Sequence, residues 1–79
     1  MTVNIFLSTV LRPYVEGYDA FHGISLEPAE GETVRSACAR LGIPVDKIRM
    51  VMINGRKVSQ SHPLTHGDRM GLFPPLGGG

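Results

Sequence analysis

One short amphipathic helix is predicted in this chain, and it limits the folds that the sequence can adopt. Thr33 can cap its N-terminus through a side-chain oxygen, and Gly42 followed by Pro44 ends it. Glu30 and Glu32 place negative charge where the helix dipole favours it. The apolar positions follow helical spacing and form one stripe: Val34, Ala37, Cys38 and Leu41. Because so short a helix is unstable alone in water, its stripe must pack against a sheet.

The other apolar segments predict five strands. The first two are expected to pair as a hairpin, and Asn54-Gly55 is a strong signal for a two-residue turn between the third and fourth. The strands are predicted at residues 2–11, 23–28, 48–53, 56–58 and 69–73. One helix on one face of a small mixed sheet indicates an α+β domain, a β-grasp arrangement of four to five strands over residues 1–73. By analogy with that fold, we expect the first and last strands to lie side by side.

Length and charge restrict the classes of function. A chain of 79 residues is near the lower limit for a self-sufficient core, so we expect one domain without an elaborate active site. The net charge is +1 and the basic residues are scattered, which argues against a nucleic-acid partner. The sequence contains neither a bilayer-spanning apolar run nor a signal-peptide pattern, and its one cysteine suits a reducing compartment. We therefore expect a cytoplasmic protein, without a membrane partner, on which other proteins act.

Both faces of the predicted sheet carry apolar side chains, although one helix can cover only one face. In the third strand the two faces carry Ile48, Met50 and Met52, and Arg49, Val51 and Ile53, respectively. In the first strand, Phe6 points away from its aliphatic neighbours. An uncovered apolar face on a small protein is typical of a docking surface. We assign four residues to that surface: Phe6, Arg49, Val51 and Arg69.

Two alternatives remain open for this surface. The connection 12–22, which contains two tyrosines and a phenylalanine, could fold over the face and cover it. Arg49 and Arg69 could steer an acidic partner towards the face, or they could be solvated charges at its edge.

The chain ends in the sequence LFPPLGGG, and this tail over residues 74–79 is expected to be flexible. Pro74 and Pro75 stop strand pairing and stiffen the base of the tail, which can reach roughly 20 Å. Glycines without a Cβ can enter a narrow channel and present a terminal carboxylate, which can attack the α-phosphate of ATP. The sequence contains no phosphate-binding loop and no acidic cluster for Mg²⁺. We therefore expect no cofactor bound by this chain, with ATP and Mg²⁺ held by a separate activating enzyme that uses the chain as its substrate.

Three stretches resemble the MoaD/ThiS family of ubiquitin-like sulfur carriers: TVRSACARLGIP, INGRKV and HGDRMGLFPPLGGG. The resemblance spans nearly the whole chain and implies a β-grasp fold. It also implies adenylation of Gly79 and its conversion to a thiocarboxylate, with Gly78 as the required neighbour. Contacts with the activating enzyme are implied for Leu72, Phe73, Pro74, Pro75, Leu76 and Gly77. Gly77 makes a third consecutive glycine where relatives often carry another small residue.

The resemblance further implies three partners: an adenylating enzyme similar to ubiquitin-activating enzymes, a sulfur donor such as a persulfide enzyme, and a sulfur-accepting synthase. The recipient pathway would make molybdopterin or tungstopterin, thiamine, or a related product. Two alternatives share this chemistry in part. The chain could be the small subunit of molybdopterin synthase, or a ubiquitin-like modifier whose carboxyl terminus forms isopeptide bonds.

Cysteine and histidine residues predict no further site. Cys38 lies on the apolar stripe of the helix and is expected to be a buried, inert thiol. His62 and His66 are four residues apart, but that spacing joins two metal ligands only on a helix, and Pro63 with Gly67 predicts a loop. His22 is expected to face solvent.

Overall fold

Five strands and one α-helix form a ubiquitin-like β-grasp fold. The computed structural model describes residues 2–75. The strands are β1 (Val3–Leu7), β2 (Ile24–Leu26), β3 (Met50–Ile53), β4 (Arg56–Val58) and β5 (Arg69–Phe73), the helix is α1 (Val34–Leu41), and two 3₁₀ helices span Thr9–Tyr14 and Val45–Lys47. The sheet order is β2-β1-β5-β3-β4. β1 and β5 are parallel neighbours in the centre and the other pairs are antiparallel, which confirms the predicted mixed sheet.

The predicted ends of α1 are confirmed. The Thr33 hydroxyl accepts a hydrogen bond from the Ser36 amide at 3.2 Å, and the Thr33 amide donates to the Ser36 hydroxyl at 2.9 Å. These reciprocal bonds form a capping box, which satisfies two amides that the helix leaves free. At the other end, Gly42 adopts a left-handed conformation with φ of 78°, and its amide donates to the carbonyls of Ala39 and Cys38.

The core lies between α1 and one face of the sheet. Its buried apolar side chains are Val3, Ile5, Leu7, Leu11, Leu26, Val34, Ala37, Cys38, Ile43, Ile48, Val51, Ile53, Met70 and Leu72. Cys38 is fully buried, as predicted, and its burial raises the pKa of the thiol to about 11. No helix within residues 2–75 is long and apolar enough to cross a membrane.

β1 is shorter than the predicted strand over residues 2–11. It ends at Leu7, the last residue paired with β5, and the Ser8 amide makes the final bond to the Leu72 carbonyl at 3.1 Å. Pro74 follows β5 and has no amide hydrogen with which to continue pairing. The chain therefore turns into the first 3₁₀ helix, which places Leu11 in the core.

The turn between β3 and β4 is confirmed as a two-residue turn with positive φ at both positions. Asn54 has φ of 52° and Gly55 has φ of 82°. The Asn54 side chain also donates to Asp68 at 2.9 Å and accepts from the Arg69 amide at 3.0 Å. The same asparagine thus joins the hairpin to the start of β5.

Two side chains of the long connection complete the end of β1. β2 pairs only as far as Ile5, so the outward-facing amide and carbonyl of Leu7 have no strand partner. The Leu7 amide donates to the Tyr18 hydroxyl at 2.8 Å, and the Arg12 Nε donates to the Leu7 carbonyl at 3.0 Å. Arg12 and Tyr18 of the connection therefore pack against the end of β1, whereas Tyr14 and Phe21 are exposed.

β2 begins where the backbone passes unusually close to β1. Gly23 has φ of 73°, and a Cβ at this position would lie 2.6 Å from the carbonyl oxygen of Ile5 and 2.9 Å from the ring of Phe6. Such a distance to a backbone atom is too short for a side chain. Only glycine fits here without separating β1 from β2.

We predict that Gly23→Ala lowers the free energy of unfolding by about 3 kcal/mol, since left-handed strain and steric overlap add. Gly17→Ala is a matched control. Gly17 has a similar φ of 74°, but an alanine Cβ at this position would have no neighbour within 4 Å. The control should lose only about 1 kcal/mol, for the strain alone. Urea denaturation measures both values, and equal losses would show that the approach of β2 to β1 tolerates a methyl group.

A buried carboxylate joins the segment before α1 to the helix. The Glu32 side chain accepts hydrogen bonds from the Ser36 hydroxyl and from the Ala29 amide at 3.0 Å, and it forms an ion pair with Arg40. The hydrogen bond from Ser36 is the largest cause that lowers the pKa of Glu32, followed by the Ala29 amide, against the opposing effect of burial. The folded state therefore favours the ionised form.

We predict that Glu32→Gln lowers the free energy of unfolding at pH 7 by about 2 kcal/mol, because a neutral amide is a weaker acceptor for these donors. A lowered folded-state pKa gives stability that is complete above the unfolded-state value of 4.5 and is lost as pH falls through the folded-state value. The difference between wild type and variant should be constant from neutral pH to about pH 5 and should shrink in more acidic buffer. Urea denaturation at several pH values tests this, and a difference independent of pH would contradict it.

Candidate functional site: the open face of the sheet

The sheet has one face that α1 does not cover. We call it the open face, and its strand positions are Asn4, Phe6, Ser25, Met50, Met52, Lys57, Arg69, Gly71 and Phe73. Strand register brings these side chains together: Phe6 and Met52 lie on either side of Gly71, and Met50 lies beside Phe73. The open face is therefore built from strands that are distant in sequence.

The side chain of Phe73, at the end of β5, extends back over Gly71 on the open face. A Cβ at Gly71 would lie 3.1 Å from Cε2 of Phe73, so the phenyl ring lies against the bare backbone of Gly71. Two depressions include this ring in their lining. The tail-distal depression, of about 290 Å³, contains Phe6, Met52 and Arg69. The tail-proximal depression, of about 250 Å³, is lined by Arg49, Met50, Lys57, Phe73 and Pro74.

Basic side chains border both depressions. The Arg69 guanidinium lies 4.3 Å from the centre of the Phe6 ring, within the range of a cation–π contact. Arg49 lies at the other end of β5, where its amide donates to the Phe73 carbonyl at 2.8 Å. No acidic residue occupies a strand position of the open face. The charge at this surface is therefore positive.

The structure corrects two of the predicted partner contacts: Val51, which the strand pattern assigns to the docking surface, and Leu72, which the family resemblance implies as a contact with the activating enzyme. Val51 is 2% exposed and Leu72 is 0% exposed, so both side chains are in the core and cannot contact a partner on the open face. Met50 and Met52, which were not assigned, lie on that face instead. Arg49 shares the strand alternation of Val51 but precedes β3, which lets its side chain reach the border of the open face.

Sequence alternation could not have identified Met50 and Met52, because β3 is apolar on both sides. Phe6 does indicate the open face, because it alternates with Val3, Ile5 and Leu7, which are all aliphatic and buried on the other side of β1. Once β5 pairs with β1 and β3, the face of Phe6 becomes the face of both methionines.

The connection 12–22 lines neither depression on the open face. The alternative in which this connection covers the face is therefore not supported. A wider depression of about 580 Å³ runs along the connection itself, between Thr9 and Ala20, and none of its lining residues is a strand position of the open face.

The base of the tail adjoins the open face directly. Phe73 ends β5, and the next residue, Pro74, lines the tail-proximal depression. Pro75 follows as an exposed residue. The remaining predicted site residues, Leu76, Gly77, Gly78 and Gly79, lie outside the described residues.

The histidines take no part in this surface. His22 is exposed, as predicted, and its Nδ1 lies 2.8 Å from an Asp19 carboxylate oxygen. Within residues 2–75, no group of three or more His, Cys, Asp or Glu side chains is arranged to hold a metal ion.

Comparison with known proteins places this fold and tail in a family. The profile of the ThiS family matches residues 13–79. This chain belongs to the ThiS family. SAMP1 from Haloferax volcanii has a similar crystal structure, with a TM-score of 0.69, 20% sequence identity and coverage of 100% of both chains. That likeness includes β1, which lies outside the family match.

The comparison with curated protein sequences found no match. Membership of the ThiS family supports a role as a sulfur carrier or ubiquitin-like modifier in general. The likeness to SAMP1 supports the ubiquitin-like fold. Proteins of this kind generally interact with activating enzymes.

We predict that truncating two neighbouring residues of β3 lowers stability by different amounts. Val51→Ala should lower the free energy of unfolding by about 2 kcal/mol, because Val51 is buried in the core. Met52→Ala should lower it by about 1 kcal/mol or less, because Met52 is only half-buried on the open face. Urea denaturation of both variants measures the difference. A larger loss for Met52→Ala would show that the core lies on the other side of β3.

Proposed function

We propose that this ThiS-family chain is a sulfur carrier whose carboxyl terminus, Gly79, is adenylated by a partner enzyme and converted to a thiocarboxylate. The thiocarboxylate then donates sulfur in the biosynthesis of a cofactor, molybdopterin or tungstopterin or thiamine, or of a related product. One observation carries the proposal: the family match runs through β5 to Gly79, and β5 is the strand that joins the open face to the tail.

The proposed chemistry divides between the two proteins. The Gly79 carboxylate attacks the α-phosphate of ATP and displaces pyrophosphate, which gives an acyl-adenylate. A persulfide sulfur of the donor then attacks the acyl carbon and expels AMP, and a second thiol reduces the resulting acyl disulfide to the thiocarboxylate. ATP and Mg²⁺ are held by the activating enzyme. This chain supplies the docking surface and a terminus that a narrow channel can admit.

The open face supports this division of roles. It presents Phe6, Met50, Met52 and Phe73 next to the residue from which the tail leaves. A partner that covers these side chains therefore holds the base of the tail in a fixed place relative to its own nucleotide site. Gly78 and Gly77 then carry the carboxylate into that site without side chains that would obstruct it.

We predict that the wild-type chain, incubated with its adenylating enzyme, ATP, Mg²⁺ and a persulfide donor, gains the mass difference between one sulfur and one oxygen atom. A variant that lacks Gly79 should show no such gain, because the family position of the modified residue is lost. Intact-mass spectrometry measures the change, and urea denaturation of both proteins checks that the fold is unaltered.

Other outcomes would favour a different role. Stable co-purification with a larger subunit would identify the small subunit of a synthase such as molybdopterin synthase. Gly79-dependent conjugates of high mass in cell extract would identify a ubiquitin-like modifier. A mass gain that persists without Gly79 would contradict the proposed site of modification.

A further inference from the structure

Two basic side chains line the tail-proximal depression, and no acidic residue is among its described lining residues. Arg49 and Lys57 are both exposed, and neither side chain forms a hydrogen bond or an ion pair with any residue in the range 2–75. Between them lie the apolar side chains of Met50 and Phe73, with Pro74 at the edge. Arg69 differs, because its guanidinium stacks on Phe6 at the other end of the face.

Two adjacent basic residues of β4, Arg56 and Lys57, project from opposite faces of the sheet. Lys57 pairs with Met52 and shares the open face, whereas its neighbour Arg56 pairs with Ile53 and takes the opposite orientation. The two residues carry the same charge, are adjacent, and are both exposed. They therefore differ chiefly in the face of the sheet from which they project.

The chemistry of the depression selects its occupant. Two cations that have no ion-pair partner among residues 2–75, beside apolar side chains, complement a carboxylate that stands next to an apolar side chain. A second copy of this chain fits poorly, because its open face would bring further positive charge against Arg49 and Lys57. The position beside Pro74 means that whatever occupies the depression also contacts the base of the tail.

We propose that the tail-proximal depression is a subsite that binds an Asp or Glu side chain of the activating enzyme, flanked by an apolar side chain that packs on Met50 and Phe73. This inference rests on the proposed function and adds the chemistry by which the partner is recognised. The subsite acts in docking, so it determines how strongly the carrier binds and not how fast the bound tail reacts.

The test compares Lys57→Glu with Arg56→Glu, which change the net charge equally on opposite faces of β4. KM and kcat for pyrophosphate release are measured with the adenylating enzyme that modifies the wild-type chain. Lys57→Glu should raise KM by about tenfold or more at low salt and leave kcat within about twofold, because a repulsive contact weakens binding alone. Arg56→Glu should change KM by less than about threefold, since an exposed charge away from the interface acts weakly.

Two further measurements strengthen the comparison. The difference in KM between Lys57→Glu and the wild type should shrink in high salt, where exposed charges are screened. Lys57→Arg, which keeps the positive charge, should have a KM close to that of the wild type. Arg49→Glu repeats the test from the other side of the depression if Lys57→Glu does not fold. Sedimentation of the wild-type chain checks for a dimer.

Each outcome discriminates between the two proposals. Equal KM values for Lys57→Glu and Arg56→Glu, with the wild type adenylated normally, would overturn the subsite and leave the proposed function intact. A wild-type chain that no adenylating enzyme modifies would overturn both. A dimer through the open face would make a second copy the occupant and overturn the subsite.

Discussion

The parallel pairing of β1 with β5 is the contact on which the rest of this structure depends. It joins the two ends of the chain in the centre of the sheet and sets Phe6 beside Gly71 and Leu7 beside Leu72. Side chains alternate along both strands, so this register assigns Leu7 and Leu72 to the core and Phe6 to the open face at the same time. It also fixes where the tail leaves the domain, since β5 ends one residue before Pro74.

A small domain with one helix cannot bury both faces of a five-stranded sheet. Here the helix covers the face with Val51, Ile53, Met70 and Leu72, and the other face keeps half-buried methionines and an exposed phenylalanine. Basic side chains border that apolar surface, and acidic ones are missing from its strand positions. Because one helix cannot cover both faces, the second face remains available as a surface of apolar and basic side chains. Such a surface complements a partner surface that carries apolar and acidic side chains.

In the proposed function, chemistry and recognition lie in different parts of this chain. Residues 2–75 hold no candidate metal site, and the one cysteine is buried with its thiol protonated. The reactive group proposed here is a main-chain carboxylate, which needs no side chain near it. In that proposal the folded domain presents the surface by which an enzyme recognises the chain, next to Phe73 and Pro74, where the tail begins.

The sequence by itself determined the elements that depend on neighbouring residues. Thr33, Gly42 and the apolar stripe between them specified the helix, Asn54-Gly55 specified the turn, and the terminal glycines with the double proline indicated the family. Only the tertiary structure decided which face of β3 is buried, where β1 ends, and that Tyr18 and Arg12 complete the edge at Leu7. The physical reason is that the alternation of side chains gives a strand two faces but does not determine which face packs against the helix. That choice depends on register between strands that lie far apart in the sequence.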